Sequence, residues 1–299
     1  MRKIAIMMRI GLNAEALNNE GNVGNVLQPR RVKLLDGTIR DEISGEMLKH
    51  YHTRNLRLLA EDNELCDGCK ILSPMKNAEL KEKDETLSES GNRVKACIVD
   101  DCQGFMNAGK GRNEKRVSCI KFSKAIGINE SDVETQLHTR VEVLADENKK
   151  TKNEKKQNNE DTTNDGNTIK EQNTQMLFHR PTRSNEYAIT LTLELDRIGY
   201  DDEKQKYVLD DEGIKARQKK CVQAIRNMFV DIEGALCSTR LPHLMNIEGI
   251  LVDKADKNDV LVKCSALNDD YKEVNKRIAT KSTEFNNIEE FVNVLDELI

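Results

Sequence analysis

Tyr187-Ala188-Ile189-Thr190-Leu191-Thr192-Leu193-Glu194-Leu195-Asp196 alternates Ile and Leu against Thr and Glu. That period of two is the pattern of a β-strand with one face buried. Working outward, Glu212 to Phe229 carries helical spacing, with Ile214, Cys221, Ile225, Met228 and Phe229 as core candidates. Ile250 to Ala266 reads as strand-rich, and Ile288 to Ile299 as a helix. On the other side, Val117 to Ile128 has strand-like alternation and Lys3 to Ile10 is an apolar strand. Val32 to Leu35 reads as a short strand closed by the turn at Asp36-Gly37. Ser44 is placed as the N-cap of a helix from Gly45 to about Ala60, whose expected apolar face is Met47, Leu48, Tyr51, Leu58 and Leu59. The order strand, helix, strand, strand, helix, strand, with insertions, suits an α+β protein with a ferredoxin-like core. Periodicity alone does not separate it from other α+β arrangements.

Composition narrows the class. The chain has 299 residues, enough for one large domain or two small ones, with 33% charged residues, 4% aromatics and no Trp. Equipment for stacking on bases is therefore sparse. No apolar run is long enough to span a bilayer, and the first six residues turn polar too soon for a signal peptide, so the chain reads as cytoplasmic with no membrane partner. The net charge of −5 argues against nucleic-acid binding, which is driven by Lys and Arg releasing counterions. Distribution answers that objection. Residues 1 to 57 hold ten basic side chains (among them Arg30, Arg31, Lys49, Arg54 and Arg57) against six acidic ones, whereas Glu284 to Glu297 is acidic.

Two segments interrupt the pattern. Residues 61 to 116 are polar, carry two short cysteine pairs and read as an insertion with little core of its own. Residues 146 to 175, rich in Asn, Lys, Glu, Asp and Thr, cannot bury enough apolar surface to order themselves and are expected to form a mobile tip. Cys66-Asp67-Gly68-Cys69 and Cys97-Ile98-Val99-Asp100-Asp101-Cys102 give C-x2-C and then C-x4-C. Four thiolates would let a structural zinc staple a segment that burial does not hold. The alternative is that Cys97 and Cys102 are small buried residues, Cys66 and Cys69 are reduced surface thiols, and no metal binds. A reducing compartment disfavours disulfides, and Cys119, Cys221, Cys237 and Cys264 read as core.

Two basic clusters could hold a phosphate backbone. Asn18 to Arg31 is a Gly/Asn-rich loop, with Gly24-Asn25 as a turn and Arg30 and Arg31 pointing opposite ways at its end. Ser44, Gly45, Lys49, His50, Thr53 and Arg54 lie at the start of the basic helix, where Lys49 pairs with Thr53 and His50 with Arg54, one turn apart. The bland readings are salt bridges from the arginines to Asp36 or Glu42, Ser44 as a cap only, and Lys49 as a solvated side chain. Met176-Leu177-Phe178-His179-Arg180 is a third group, apolar at the edge of a polar tract, which could simply begin the next strand. His138 and His179 bracket that tract, yet no His, Cys, Ser or Asp spacing forms a recognisable catalytic set, and no Walker-type loop is present.

Asn18 with Gly24-Asn25, Arg30-Arg31 and Ile43-Ser44-Gly45-Glu46-Met47-Leu48-Lys49-His50 resemble the N-terminal signature of the backbone subunit of type I CRISPR Cascade complexes, in the DevR or autoregulator branch. Later blocks fit too: Val99 to Met106, Arg116 to Ser123, Tyr187 to Gly199, and Ser238 to His243. The resemblance covers most of residues 1 to 250. It implies an RRM-like, ferredoxin-like palm from residues 1–60, 117–135 and 183–299, a fingers insertion at 61–116 and a thumb insertion at 136–182, together shaped like a hand. It implies that Arg30 and Arg31 contact guide RNA, and that the thumb lies over guide bound by a neighbouring subunit. There Met176 or Phe178, beside Leu177 and Arg180, would wedge between bases and flip one out.

The resemblance therefore implies a non-catalytic, crRNA-binding subunit that polymerises head to tail along the guide as a helical filament. Its partners would be the crRNA, target DNA paired to it, other copies of itself and other Cascade subunits in antiviral defence. Type III relatives cut RNA with an Asp in the N-terminal loop; Asn18 to Arg31 holds Glu20 but no Asp, so no nuclease activity is expected. The rivals are a metal-dependent RNA endonuclease of the type III-like kind and a protein-binding scaffold.

Overall fold

Strand alternation predicts where the core sits. In β1 (Lys3–Glu15), Ile4, Ile6, Met8, Ile10 and Leu12 point into the main core, while Ala5 and Met7 enter a second cluster on the opposite face. The computed structural model describes residues 1–73, 76, 90–109, 112–140 and 176–298. The expected tip at 146–175 lies outside them.

The chain continues through β2 (Asn19–Val23), β3 (Val26–Pro29), β4 (Arg31–Lys33), β5 (Ile39–Ile43) and α1 (Gly45–Leu59). Short helices α2 (Asp67–Lys70), α3 (Ser90–Ala96) and α4 (Ile98–Gln103) follow, then β6 (Phe105–Gly109) and β7 (Arg112–Arg116). Next come β8 (Ile120–Phe122), β9 (Ala125–Glu130), β10 (Val133–Arg140) and the long β11 (Met176–Leu193). The rest is β12 (Tyr200–Asp201), β13 (Lys206–Tyr207), α5 (Asp211–Val230), β14 (His243–Lys254), α6 (Tyr271–Ile278), β15 (Ser282–Phe285) and α7 (Ile288–Asp296).

The fold is α+β, built on one large sheet in the order β15-β14-β1-β11-β9-β5-β4, with β3, β8 and β10 also bonded to β11. Its pairings are antiparallel except for one parallel bridge from His179 of β11 to Val26 of β3. β1 lies at the centre, running from Ile4↔Leu193 to Glu15↔Arg183 against β11 and from Lys3↔Lys254 to Asn13↔His243 against β14. Gly249 is required there: a Cβ would stand 2.4 Å from Met7 O and 2.6 Å from the Phe285 ring. Helices α1, α5 and α7 cover the main core, and α6 closes the second cluster with Tyr271 over Ala5, Met7 and Val252.

Ser44 caps α1 as expected, its Oγ accepting from Met47 N at 3.2 Å. The buried stripe is Leu48, His52 and Leu56, an i, i+4, i+8 row, whereas Leu58 is 69% exposed. A histidine in the middle of the row hid it from a reading based on apolar residues. The stretch expected as strand from Ile250 to Ala266 instead ends at Lys254, and its strand begins earlier, at His243. The Gly/Asn-rich loop is in part a hairpin, in which Gly24 (φ +61°) and Asn25 make the two-residue turn between β2 and β3. Cys97 to Gln103, within the segment expected to have little core, are buried, and their apolar members join the main core.

His52 is wholly buried. Gln103 Nε2 donates to its Nδ1 at 2.6 Å and its Nε2 faces Cys221 O at 3.1 Å, which together select the neutral Nε2–H form. Burial, assisted by the nearby Lys49 charge, lowers its pKa to about 4 from 6.5. Between those values the unfolded chain binds a proton that the folded chain refuses, so stability falls as pH drops through this window and is restored above it. The full difference is about 3 kcal/mol at roughly 1.4 kcal/mol per pKa unit. Denaturation curves of wild type and His52→Gln across this range should converge at low pH; a gap independent of pH would refute the assignment.

Candidate nucleic-acid interface

The start of α1 opens onto a cleft of about 760 Å³ lined by Lys49, His50 and Thr53 on one side and by Cys69, Lys76, Arg93, Gly104 and Lys115 on the other. Lys49 is half-buried and, among the described residues, makes no ion pair. Burial and the neighbouring Lys76 charge both lower its pKa. Lys76 Nζ donates to Gly104 O and stands 3.7 Å from Asp100 Oδ1. Concentrated positive charge in a concave, half-desolvated site favours an anion. Thr53 turns its hydroxyl back to Lys49 O at 2.8 Å, and Arg54 pairs with Glu233 outside this lining.

Asn18 joins the loop to this helix, its Oδ1 accepting from Ser44 N at 2.9 Å. Ser44 is thereby buried and used twice, as cap and as anchor. Gly45 sits beneath β8, where a Cβ would lie 3.2 Å from the carbonyl oxygens of Phe122 and Ser123. These three residues build the entrance to the cleft rather than its lining.

A second concavity, of about 590 Å³, brings Asn25 together with Leu177, Phe178 and Arg180, beside Asn22, Leu27 and Leu236. The bond from His179 N to Asn25 O (2.8 Å) seats the hairpin turn against the start of β11. Phe178 stacks on His138 at 5.7 Å, and the Arg180 guanidinium lies 4.7 Å from its ring centre. Leu177 is 44% exposed. The Met176 side chain lies outside the described residues. Arg240 supports this arm from below, donating to Pro181 O at 3.0 Å and Thr182 Oγ1 at 2.9 Å and meeting His138 Nε2.

Arg31 borders a third depression, with Thr38, Ile39 and Glu130, and so does not share the Lys49 cleft. Neither arginine forms the salt bridges that a purely structural role would need: Glu42 takes Lys124 and Asp36 is engaged by Thr38, and among the described residues Arg30 and Arg31 have no acidic partner. Arg30 Nε is buried without a hydrogen-bond partner. The two predicted clusters are thus continuous through Asn18 and Ser44 but open onto separate concavities.

The cysteine quartet is corrected. Cys66, Cys69 and Cys97 are all buried, with sulfurs within 4.8 Å of one another, but Cys102 is paired with Cys221, their Cα atoms 7.3 Å apart. The pairing runs against the expectation that disulfides are disfavoured, while Cys119 and Cys221 lie in the main core as expected and Cys237 and Cys264 are half-buried. Hydrogen bonds from the Cys66 and Cys69 thiols hold Cys97 well below the ordinary thiol pKa. Cys66 is pushed up to about 12: its hydrogen bond with Cys69 lowers it, but its bond to Cys97 and burial prevail.

Sequence reasoning did not single out Arg183. It is 2% exposed and joins Glu15 (Nε–Oε1 2.6 Å) to the carbonyl oxygen of Arg30 (2.8 Å), clamping the far end of the N-terminal loop. Its place in β11 opposite Glu15 was available only from register.

The Lys49 cleft gathers several basic side chains beside Glu46, whereas the depression at Arg31 also takes in Asp36 and Glu130. The family model for the CRISPR-associated negative auto-regulator DevR/Csa2 matches residues 6–276, and the chain belongs to that family. Among solved structures, a chain of a CRISPR RNA-guided surveillance complex is similar in fold at 11% identity and a TM-score of 0.50, covering 99% of this chain and 98% of that one. A chain of such a complex in a pre-nicking state is similar at 12% identity and a TM-score of 0.48, over 85% and 77%. No curated protein matches. No helix among the described residues is long and apolar enough to cross a membrane.

Proposed function

We propose that the chain is a non-catalytic subunit of a type I CRISPR surveillance complex that grips the backbone of the guide RNA, stacks head to tail with further copies, and presents the guide to target DNA beside other Cascade subunits. The observation that carries this reading is Lys49, a half-buried cation with no ion-pair partner among the described residues, repelled by Lys76 inside a concave cleft. A phosphate would relieve both penalties at once. The order β14-β1-β11-β9, joined by α1 and α5, supports a ferredoxin-like core, with the β10–β11 arm as thumb and residues 61–116 as fingers. Among the described side chains of this arm, Leu177, exposed where Phe178 is already stacked, is the apolar one best placed to meet a base. Membership of the DevR/Csa2 family supports the assignment to CRISPR defence.

The test is filter binding of a guide-length RNA across a range of salt. Arg31→Ala with Lys49→Ala should weaken affinity and flatten the slope of log K against log salt by about 1.4, the share of two phosphate contacts on single-stranded RNA. Unchanged affinity and slope would remove the phosphate grip and favour a protein scaffold. The absence of Asp between Asn18 and Arg31 supports the lack of cutting; labelled RNA should remain intact with Mg2+ or Mn2+, and cleavage abolished by Glu20→Ala would reverse that reading.

A further inference from the structure

The three-cysteine cluster has the features of a built metal site. Cys66 and Cys69 flank a tight knuckle in which Cys66 O accepts from Lys70 N at 3.0 Å, Gly68 O from Ser73 N at 2.9 Å and Cys69 O from Leu72 N at 3.2 Å. Those bonds turn both side chains toward one point. Cys97 arrives from the start of α4, its sulfur accepting from Asp100 N at 3.5 Å. Zinc–sulfur bonds of about 2.3 Å in a tetrahedron require sulfurs about 3.8 Å apart, within reach of a cluster whose sulfurs already lie inside 4.8 Å.

An independent observation concerns the fourth position. Asp100 is fully buried; its Oδ2 is held by Arg93 at 3.1 Å, while its Oδ1 has no hydrogen-bond partner and only the Lys76 Nζ, 3.7 Å away, facing it. A buried carboxylate oxygen left unsatisfied is costly unless something else completes it. Asp100 sits three residues after Cys97 and its backbone N–H meets the Cys97 sulfur, which puts its carboxylate on the same helical turn as one of the three thiols, outside the 4.8 Å cluster they form.

We infer that Cys66, Cys69 and Cys97 bind one zinc ion as thiolates, with the Asp100 side chain rotating to bring its Oδ1 in as the fourth donor. Each sulfur that is a thiol before binding gives its proton to solvent as the Zn–S bond forms. The ion ties the α2 knuckle to α4 and so fixes both ends of residues 70–96. Cys69 also lines the cleft that holds Lys49, so the metal supports one wall of it without touching RNA. The inference does not depend on RNA binding.

Elemental analysis of the full-length protein, purified without chelator, should give about one zinc per chain. Cys97→Ser should lose it, whereas Cys102→Ser should keep it, because Cys102 stands with Cys221 and not with the trio. Asp100→Asn should lower zinc affinity by about 10-fold or more. Should Cys97→Ser fail to fold, titration of metal-depleted wild type with Co2+ supplies a second reading: tetrahedral thiolate coordination gives intense sulfur-to-cobalt charge-transfer absorption. Protein that carries no zinc and shows no such absorption overturns the site. Loss of zinc from folded Cys102→Ser would overturn the choice of ligands, and unchanged affinity in Asp100→Asn the fourth donor.

Discussion

Asp101→Ala is expected to destabilise the chain by about 3–5 kcal/mol, the cost of leaving buried charge without its partner. Asp101 is fully buried in α4. Its Oδ1 meets Arg116 Nη2 at 2.7 Å, its Oδ2 meets Arg217 Nη1 at 3.0 Å, and Gly199 N donates to Oδ2 at 2.9 Å. Burial keeps its carboxyl above the ordinary pKa although two guanidiniums pull it down. Arg116 also reaches Asp101 O, Tyr200 O and Arg197 O, and Arg217 reaches Val94 O and Lys95 O. One carboxylate therefore ties α3, α4, β7, α5 and the turn at Gly199 together. Removing it leaves Arg217, 6% exposed, without its carboxylate and Arg116, 1% exposed, with only the half-exposed Asp202. Urea denaturation checks this. With slopes of about 1–3 kcal/mol/M, the midpoint should fall by at least about 1 M. Asp202→Ala, which removes a 40%-exposed partner of the same Arg116, should cost no more than about 1 kcal/mol. Equal costs for the two variants would show that the network does not act through Asp101.

That network explains what several of the sequence blocks encode. Asp101 lies in Val99 to Met106, Arg116 opens Arg116 to Ser123, and Gly199 ends Tyr187 to Gly199. Segments far apart in the chain meet at one buried carboxylate. The blocks were legible as a pattern, but their convergence was not, because sequence spacing says nothing of which segments meet. The central strands were legible for the opposite reason: the apolar run in Lys3 to Ile10, buried on both faces, and the alternation in Tyr187 to Leu193 reflect burial strand by strand.

The cysteine error has a similar local cause. Cys97 caps α4 and Cys102 lies within it, five residues on. At 3.6 residues per turn that separation rotates the side chain by about 140°, so the two thiols face away from each other. C-x4-C favours one metal only where the intervening chain is a turn. The candidate interface was partly legible: Lys49, His50 and Thr53 line one cleft and Asn25, Leu177, Phe178 and Arg180 another. Asn18, Ser44 and Gly45 were found through their positions, yet their polar atoms and close contacts build the backbone around the cleft.

Arg183→Met is expected to lose both stability and RNA binding, and the second loss distinguishes it from Asp101→Ala. Arg183 stands between two buried carboxylates, with Glu15 at 2.6 Å and Asp41 at 3.8 Å. Glu15 is further held by Tyr187 Oη at 2.5 Å and Leu17 N at 2.8 Å, and Asp41 by Ser131 Oγ at 2.5 Å and Asn185 Nδ2 at 2.9 Å. Methionine fills much of the same volume but leaves both acids without a cation, again a loss of about 3–5 kcal/mol. Arg183 also donates to Arg30 O at 2.8 Å and reaches Asn18 O at 3.5 Å, the two ends of the segment that carries the β2–β3 hairpin and presents Arg31. Under conditions where the variant remains folded by circular dichroism, that segment loses its clamp while the Lys49 cleft is untouched. RNA affinity should then fall with the remaining salt dependence contributed by Lys49, and amide exchange should rise between Asn18 and Arg30 but not in α1. Lysine at 183 keeps the charge but not the fork that reaches Glu15 and Arg30 O together, so it should recover part of the stability and little of the binding. Should Arg183→Met bind RNA as wild type does while folded, the N-terminal hairpin would have no part in the grip, and the Lys49 cleft would carry it alone.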